Sequence, residues 1–371
     1  MRIAACVCKH CGSMDLSSLQ LVVLQPGSAL DLARQALLAT HWHDGMTAPQ
    51  LLEREQQLLD KDAWTRSGAL ELFALTDAAQ SELFSSCEAW AMRAAVRDAT
   101  GVAEMCTYGI ASVFTAEGLR GNGLASELLR RVRTRLGAAT SLLMCEVAPA
   151  IYERVGYAAP HPEAKDWELA ASECGFEMHA QSGVRFLTAA NLPAHAELLC
   201  ARIRGALAEA VPGAFAVLPS AEQLQWHISR DAARRKVLSL PAAPASVGAA
   251  CGDAFALWAF DTEDHSDASA APVLRILAFA PSHTDADADA AVLAAAVQCA
   301  GVARTLLWST DALTLRSYAG GEDASWTPPE DELAFMGVSA RCVSRQCLPM
   351  WTPPEGVEAA QWRYIPRGVW I

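Results

Sequence analysis

The stretch from Ile110 to Leu136 limits the folds open to this chain more than any other. An apolar run, Ile110-Ala-Ser-Val-Phe114, reads as a strand, and a turn leads to the glycine-rich segment Arg120-Gly-Asn-Gly-Leu-Ala125. A helical pattern begins there, with Leu124, Leu128, Leu129, Val132 and Leu136 on one face and Arg130, Arg131, Arg133 and Arg135 mostly off it. A strand, a glycine turn and a fresh helix N-terminus form an anion site. Successive N–H groups point outward, the helix dipole adds positive potential, and glycine allows close approach.

The anion is narrowed by what the loop lacks. No Gly-Lys-Ser/Thr ending is present for a nucleoside-triphosphate loop. A dinucleotide loop would need a third glycine where Ser126 stands. The pattern Arg-x-x-Gly-x-Ala, from Arg120, Gly123 and Ala125, resembles the pyrophosphate loop of the GCN5-related N-acetyltransferases. That resemblance implies acetyl-coenzyme A as cosubstrate. A second segment, Cys145-Glu-Val-Ala-Pro-Ala-Ile-Tyr-Glu-Arg-Val-Gly-Tyr157, is similar to the family's stretch after the loop at Ala148, Tyr152, Glu153, Arg154, Gly156 and Tyr157. Cys145 stands where the family often has asparagine. Ser86–Arg93, Tyr108–Thr115, the loop and an aromatic-rich tail, Trp362–Ile371, further resemble the fungal lysine N6-acetyltransferase-like group.

The order of elements agrees with the resemblance. Strands are expected at 19–24, 69–75, 87–96, 110–114 and 141–146, and helices at 28–40, 49–59, 124–136 and 149–155. The expected class is α/β (α+β): a mixed, twisted sheet with helices on both faces. A similar order restarts near Val184, with strands at 184–187, 255–260, 273–279 and 304–308 and helices at 191–207, 220–229 and 290–300. We therefore expect a flexible tail over 1–18, a catalytic domain binding acetyl-CoA over 19–180, and a degenerate domain of the same type over 181–371. The second half lacks a glycine loop and has Ser282-His-Thr-Asp-Ala-Asp-Ala-Asp289 in its place. Those acids fail the calcium-loop pattern at Ala290 and Ala296 and read as helix N-terminal residues. A repeated Trp-Thr-Pro-Pro-Glu, at Trp326 and Trp351, reads as structural punctuation, the first capping a helix.

Acetyl transfer to an amine assigns further roles. The resemblance implies that the backbone of Val113, Phe114 and Thr115 holds the pantetheine, and that the backbone of Arg120, Gly121, Asn122, Gly123, Leu124 and Ala125 holds the pyrophosphate. Tyr152 occupies the family's tyrosine position and is the candidate general acid for the leaving thiolate. A lysine amine is unprotonated in less than about one molecule in a thousand at neutral pH. Glu146 is therefore a candidate base, with Glu104 and the carboxylate of Ile371 as alternatives.

With a net charge of −13, the chain fits a small amine substrate better than nucleic acid. No apolar run reaches membrane-spanning length, and Val7-Cys-Lys-His-Cys11 interrupts any signal-peptide core. Twelve scattered cysteines read as reduced thiols, without a metal site at Cys6, Cys8, His10 and Cys11. A cytoplasmic enzyme is expected, with a homodimer left open. Two other readings stay open: a non-catalytic acyl-CoA-binding regulator on the same fold, and a protein acetyltransferase.

Overall fold

The computed structural model describes residues 15–137, 140–159, 166–171, 183–262, 272–282, 284–300, 304–308, 334–335, 338–343, 348–352 and 362–364. The N-terminal cysteines, the first Trp-Thr-Pro-Pro-Glu and Ile371 lie outside these residues.

The first half runs β1 (Gln20–Leu24), α1 (Ala29–Leu38), α2 (Ala48–Lys61), β2 (Leu70–Thr76), β3 (Leu83–Arg97), β4 (Val102–Thr115), α3 (Leu124–Leu136), β5 (Thr140–Cys145) and the short α4 (Ala150–Glu153). Local chemistry sets the helix starts. The Ser28 hydroxyl accepts the Asp31 N–H at 3.3 Å to open α1, and Thr47 with Gln50 forms a capping box on α2, with Pro49 in its first turn. Then come β6 (Asp166–Ala171), β7 (Arg185–Leu187), α5 (Leu192–Ala208), β8 (Phe215–Leu218), α6 (Ala221–Val237), β9 (Gly248–Cys251), β10 (Ala254–Thr262), β11 (Pro272–Ala280), α7 (Ala286–Ala300) and β12 (Arg304–Trp308). Short strands β13 (Ala334–Phe335), β14 (Val338–Val343), β15 (Leu348–Trp351) and β16 (Trp362–Tyr364) follow.

These strands form two mixed sheets. The first has the order β1-β2-β3-β4-β5-β15. β3 is long enough to serve two partners on one edge: Leu70–Thr76 pairs with its first part, and β8 pairs with Arg93–Val96. β16 runs parallel to β8. The second sheet has the order β13-β14-β6-β12-β11-β10-β9-β7. The sheets do not divide the chain at 180/181. β6 lies between β12 and β14, whereas β8, β15 and β16 return to the first sheet. Without β15, the outer edge of β5 would present unpaired backbone groups.

Period-two alternation along β3 sends its residues to different cores. Cys87 and Ala89 pack with Phe73, Ile110 and Leu143 beneath Leu124, Leu128, Leu129 and Val132 of α3. Trp90, Met92 and Ala94 face the other way and meet Trp64, Trp226 and Trp351. That second core joins the two halves, since Trp226 belongs to α6 and Trp351 to β15. The second Trp-Thr-Pro-Pro therefore begins in a strand: Trp351 is fully buried, and the Thr352 hydroxyl accepts the Ser141 N–H at 2.9 Å. Cys87, Cys145 and Cys200 are buried, whereas Cys106 is exposed. Among the described residues no helix is long and apolar enough to cross a membrane.

Candidate active site

A gap in the first sheet defines the site. β4 and β5 are parallel and paired only from Thr107–Ile110 to Thr140–Leu143. Beyond this, β4 stays with β3 as far as Thr115, and β5 stays with β15 as far as Cys145. The two strands therefore splay into a cleft. A bulge marks the departure: Ser86 and Glu88 of β3 face Phe114 and Ala111, so one extra residue is inserted in β4. Ser112 takes it up with a left-handed φ of 51°. A bulge bends its strand and re-aims the residues beyond it.

The expected pantetheine positions line that bent end. Phe114 is buried, and its carbonyl accepts the Ser85 hydroxyl at 2.8 Å. The Thr115 carbonyl accepts Arg120 Nε at 3.2 Å, which lays the guanidinium over the Phe114 ring. Val113 is half-buried.

The glycine loop follows directly. Gly121 and Gly123 both have left-handed φ, 82° and 78°, and a Cβ placed on Gly121 would have no heavy atom within 4 Å. Gly121, Asn122 and Gly123 are exposed, Leu124 anchors the helix in the core, and Ala125 is half-buried. The first N–H to close the helix is that of Glu127, on the Gly123 carbonyl at 3.0 Å. Helix geometry leaves the N–H groups before it free to meet an anion. The loop thus has the open, donor-rich form that a pyrophosphate requires.

The other candidate groups follow β5. Tyr152 on α4 is 7% exposed and edge-on to Tyr157, and its phenol is held protonated by burial, with Cys145 and Glu146 adding to the effect. Cys145, in the asparagine position, donates its thiol to the Val147 carbonyl at 2.8 Å. Glu146 is exposed just past the end of β5 and accepts Trp42 Nε1 at 3.2 Å. The Trp42 ring also meets the Phe114 ring edge-on at 6.0 Å. One side chain from the α1–α2 connection therefore spans the cleft from β4 to β5. The sequence reading missed Trp42; its only signal was His41-Trp42-His43 between two amphipathic helices. Glu104 is not part of the site. It lies near the start of β4, ion-paired with Arg93 and Arg204.

Comparisons with known proteins bear on the fold. Residues 167–316 match the family model of the LYC1 GNAT-like C-terminal domain. Among curated proteins none matches the sequence. Three solved structures share the architecture at low identity. A conserved protein of Enterococcus faecalis V583, described as a probable N-acyltransferase, has a TM-score of 0.54 at 12% identity, covering 91% of this chain and 73% of its own. A GCN5-related N-acetyltransferase of Kribbella flavida gives 0.51 at 15%, covering 91% and 72%. One from Anabaena variabilis ATCC 29413 gives 0.50 at 12%, covering 90% and 72%. The fold is that of the GCN5-related N-acetyltransferases, and the chain resembles their LYC1-like group.

Within that fold the second half repeats the strand–helix–strand unit without its anion site. β11 and β12 are parallel through Val273–Arg275 with Arg304–Leu306, joined across α7. The start of α7 is occupied by the chain's own acids. Asp285 Oδ1 accepts the N–H groups of Asp287 and Ala288 at 3.0 and 3.1 Å. Buried Asp289 accepts the Ser282 N–H at 2.6 Å, and burial raises its carboxyl to about 6. Carboxylates placed there would repel a pyrophosphate.

Proposed function

We propose that this chain is an N-acetyltransferase that moves the acetyl group of acetyl-CoA to the primary amine of a small molecule, with free lysine as the first acceptor to try. One observation carries the reading: β4 and β5 splay apart beyond Ile110 and Leu143, the exposed Gly121–Gly123 turn follows β4, and Glu146 at the end of β5 is linked back to Phe114 through Trp42. The N–H groups of Gly121 to Ala125 would hold the pyrophosphate, and the backbone of Val113 to Thr115 would align the pantetheine so that the thioester lies in the gap.

The chemistry then balances. The amine nitrogen attacks the thioester carbon and the C–S bond breaks. The proton lost by the amine passes to Glu146 through water, and Tyr152 donates its proton to the departing sulfur. Burial keeps the phenol protonated, so it has a proton to give, while making it a weaker acid than an exposed tyrosine; Glu146, exposed at the end of β5, is open to the water that would relay the amine's proton. The thiol is acidic enough to leave unaided at a lower rate, so Tyr152 assists rather than enables.

The test is calorimetric titration of acetyl-CoA into wild type and Gly123→Glu, followed by an amine screen for coenzyme A release. Micromolar binding by wild type, lost in the variant, together with amine-dependent release, supports the reading. Binding without turnover on any amine would identify an acyl-CoA-binding regulator. Turnover only on peptides would identify a protein acetyltransferase. No binding at all would leave the loop without its ligand and end the reading.

A further inference from the structure

The α1–α2 connection, His41 to Thr47, carries Trp42 across the cleft, and its conformation is fixed from outside the first sheet's own helices. At its centre Asp44 is 2% exposed and has a left-handed φ of 50°, followed by Gly45 at 77°. An aspartate tolerates this region better than most residues, but a buried, ionised one must be paired. Arg54 of α2 pairs with its Oδ2. The same oxygen is reached by Arg230 Nη2 at 3.1 Å, and Arg234 Nε donates to the Asp44 carbonyl at 3.1 Å.

Arg230 and Arg234 belong to α6, more than 180 residues further along the chain, one helical turn apart on a single face. Arg230 is itself held, over the Trp226 ring at 5.8 Å and by Asp261 of β10 at 3.7 Å. Asp261 in turn accepts Arg275 Nε of β11 at 2.9 Å. A continuous run of charges thus reaches from the second sheet to the connection bearing Trp42. Arg54 is shared between Asp44 and Glu55, so Asp44 draws on Arg230 as well for its pairing. The second arginine on its carboxylate and the third on its carbonyl add positional constraint: they fix where the connection sits.

We infer that α6 of the second half acts as a latch, Arg230 and Arg234 on Asp44, that fixes the α1–α2 connection and so sets Trp42 and Glu146 on the acceptor side of the cleft. Resting on the acetyl-transfer reading, this gives the second half a role in acceptor selection and makes both arginines positioning residues. The acceptor amine meets a wall whose place is set by a helix that itself never touches the amine.

The test compares wild type with Arg230→Gln and Arg234→Gln by hydrogen exchange. The amides of Trp42 and Met46 report on the connection: the first donates to the Leu38 carbonyl at the end of α1 at 2.8 Å, the second to the His43 carbonyl within the connection at 2.7 Å. Both variants are expected to raise exchange there about tenfold or more, with α3 unchanged. They are expected to raise the KM for the amine by about tenfold while the Kd for acetyl-CoA holds. Unchanged exchange in the connection, or equal increases in α3, would overturn the latch. Faster exchange with unaltered amine kinetics would overturn its role in acceptor selection. If exchange responds as expected but wild type acetylates no amine, the latch stands and the acetyl-transfer reading falls.

Discussion

At the scale of single residues, two positions from the Cys145–Tyr157 segment are informative because they act differently. Tyr152 is buried with its phenol kept protonated, and its ring contributes to packing whether or not it donates. Tyr152→Phe retains the ring, so stability and the Kd for acetyl-CoA are expected to hold while kcat for an amine falls about a hundredfold. Steady-state kinetics beside calorimetry would show this split; an unchanged kcat would make the tyrosine a packing residue. Gly156 serves the backbone instead. Its φ is 91°, and a methyl there would overlap the Arg133 guanidinium, which donates to the Val155 carbonyl at 3.1 Å. Gly156→Ala is expected to lower unfolding stability by about 2 kcal/mol in urea titration, by adding strain at positive φ. Both positions were readable in sequence as parts of a motif, but the reason for each was not. Trp42 was not readable as a site residue, because its relation to Phe114 and Glu146 depends on how α1 and α2 cross the sheet.

At the scale of elements, local periodicity and capping residues located most of the framework. Ser28 and Ser220 open their helices as expected, and the apolar runs at 70–76, 254–262 and 272–280 are strands. What escaped was the bulge at Ser112, since one extra residue in a strand has no compositional mark. The acids before α7 read correctly as helix N-terminal residues, but the burial of Asp289 was hidden. That burial has a pH signature. Its folded carboxyl titrates near 6, against an ordinary value of 3.8. Between those values the folded state holds more protons than the unfolded one, so ionisation costs stability as pH rises. Wild type is expected to lose on the order of 2–3 kcal/mol relative to Asp289→Asn between pH 4 and pH 7. Urea titrations at the two pH values would measure it; parallel behaviour of the two proteins would place the carboxylate in contact with water.

At the scale of the whole molecule, the sequence read as two similar halves in succession and gave no sign of their interleaving. A repeat of element order says nothing about which sheet a late strand joins, because that depends on pairings more than a hundred residues apart. Leu348–Trp351 lies along Leu142–Cys145, and Phe215–Leu218 lies along Arg93–Val96. A fragment of residues 1–180 would lack both strands, together with Trp226 and Trp351 of the shared core. It is expected to show no cooperative unfolding by circular dichroism, whereas the full chain unfolds in a single transition. A well-folded fragment would show that the late strands add to the first sheet without completing it.

The place of β15 also governs how the protein is made. β5 leaves the ribosome about 200 residues before its outer neighbour. At ordinary elongation rates of roughly 5–20 residues per second, that edge waits on the order of 10–40 seconds for its partner. During this interval the nascent chain carries an open sheet edge and an unfilled tryptophan pocket. It has good reason to recruit a chaperone at that stage, and β5 gains its outer neighbour only after about 200 further residues have been made.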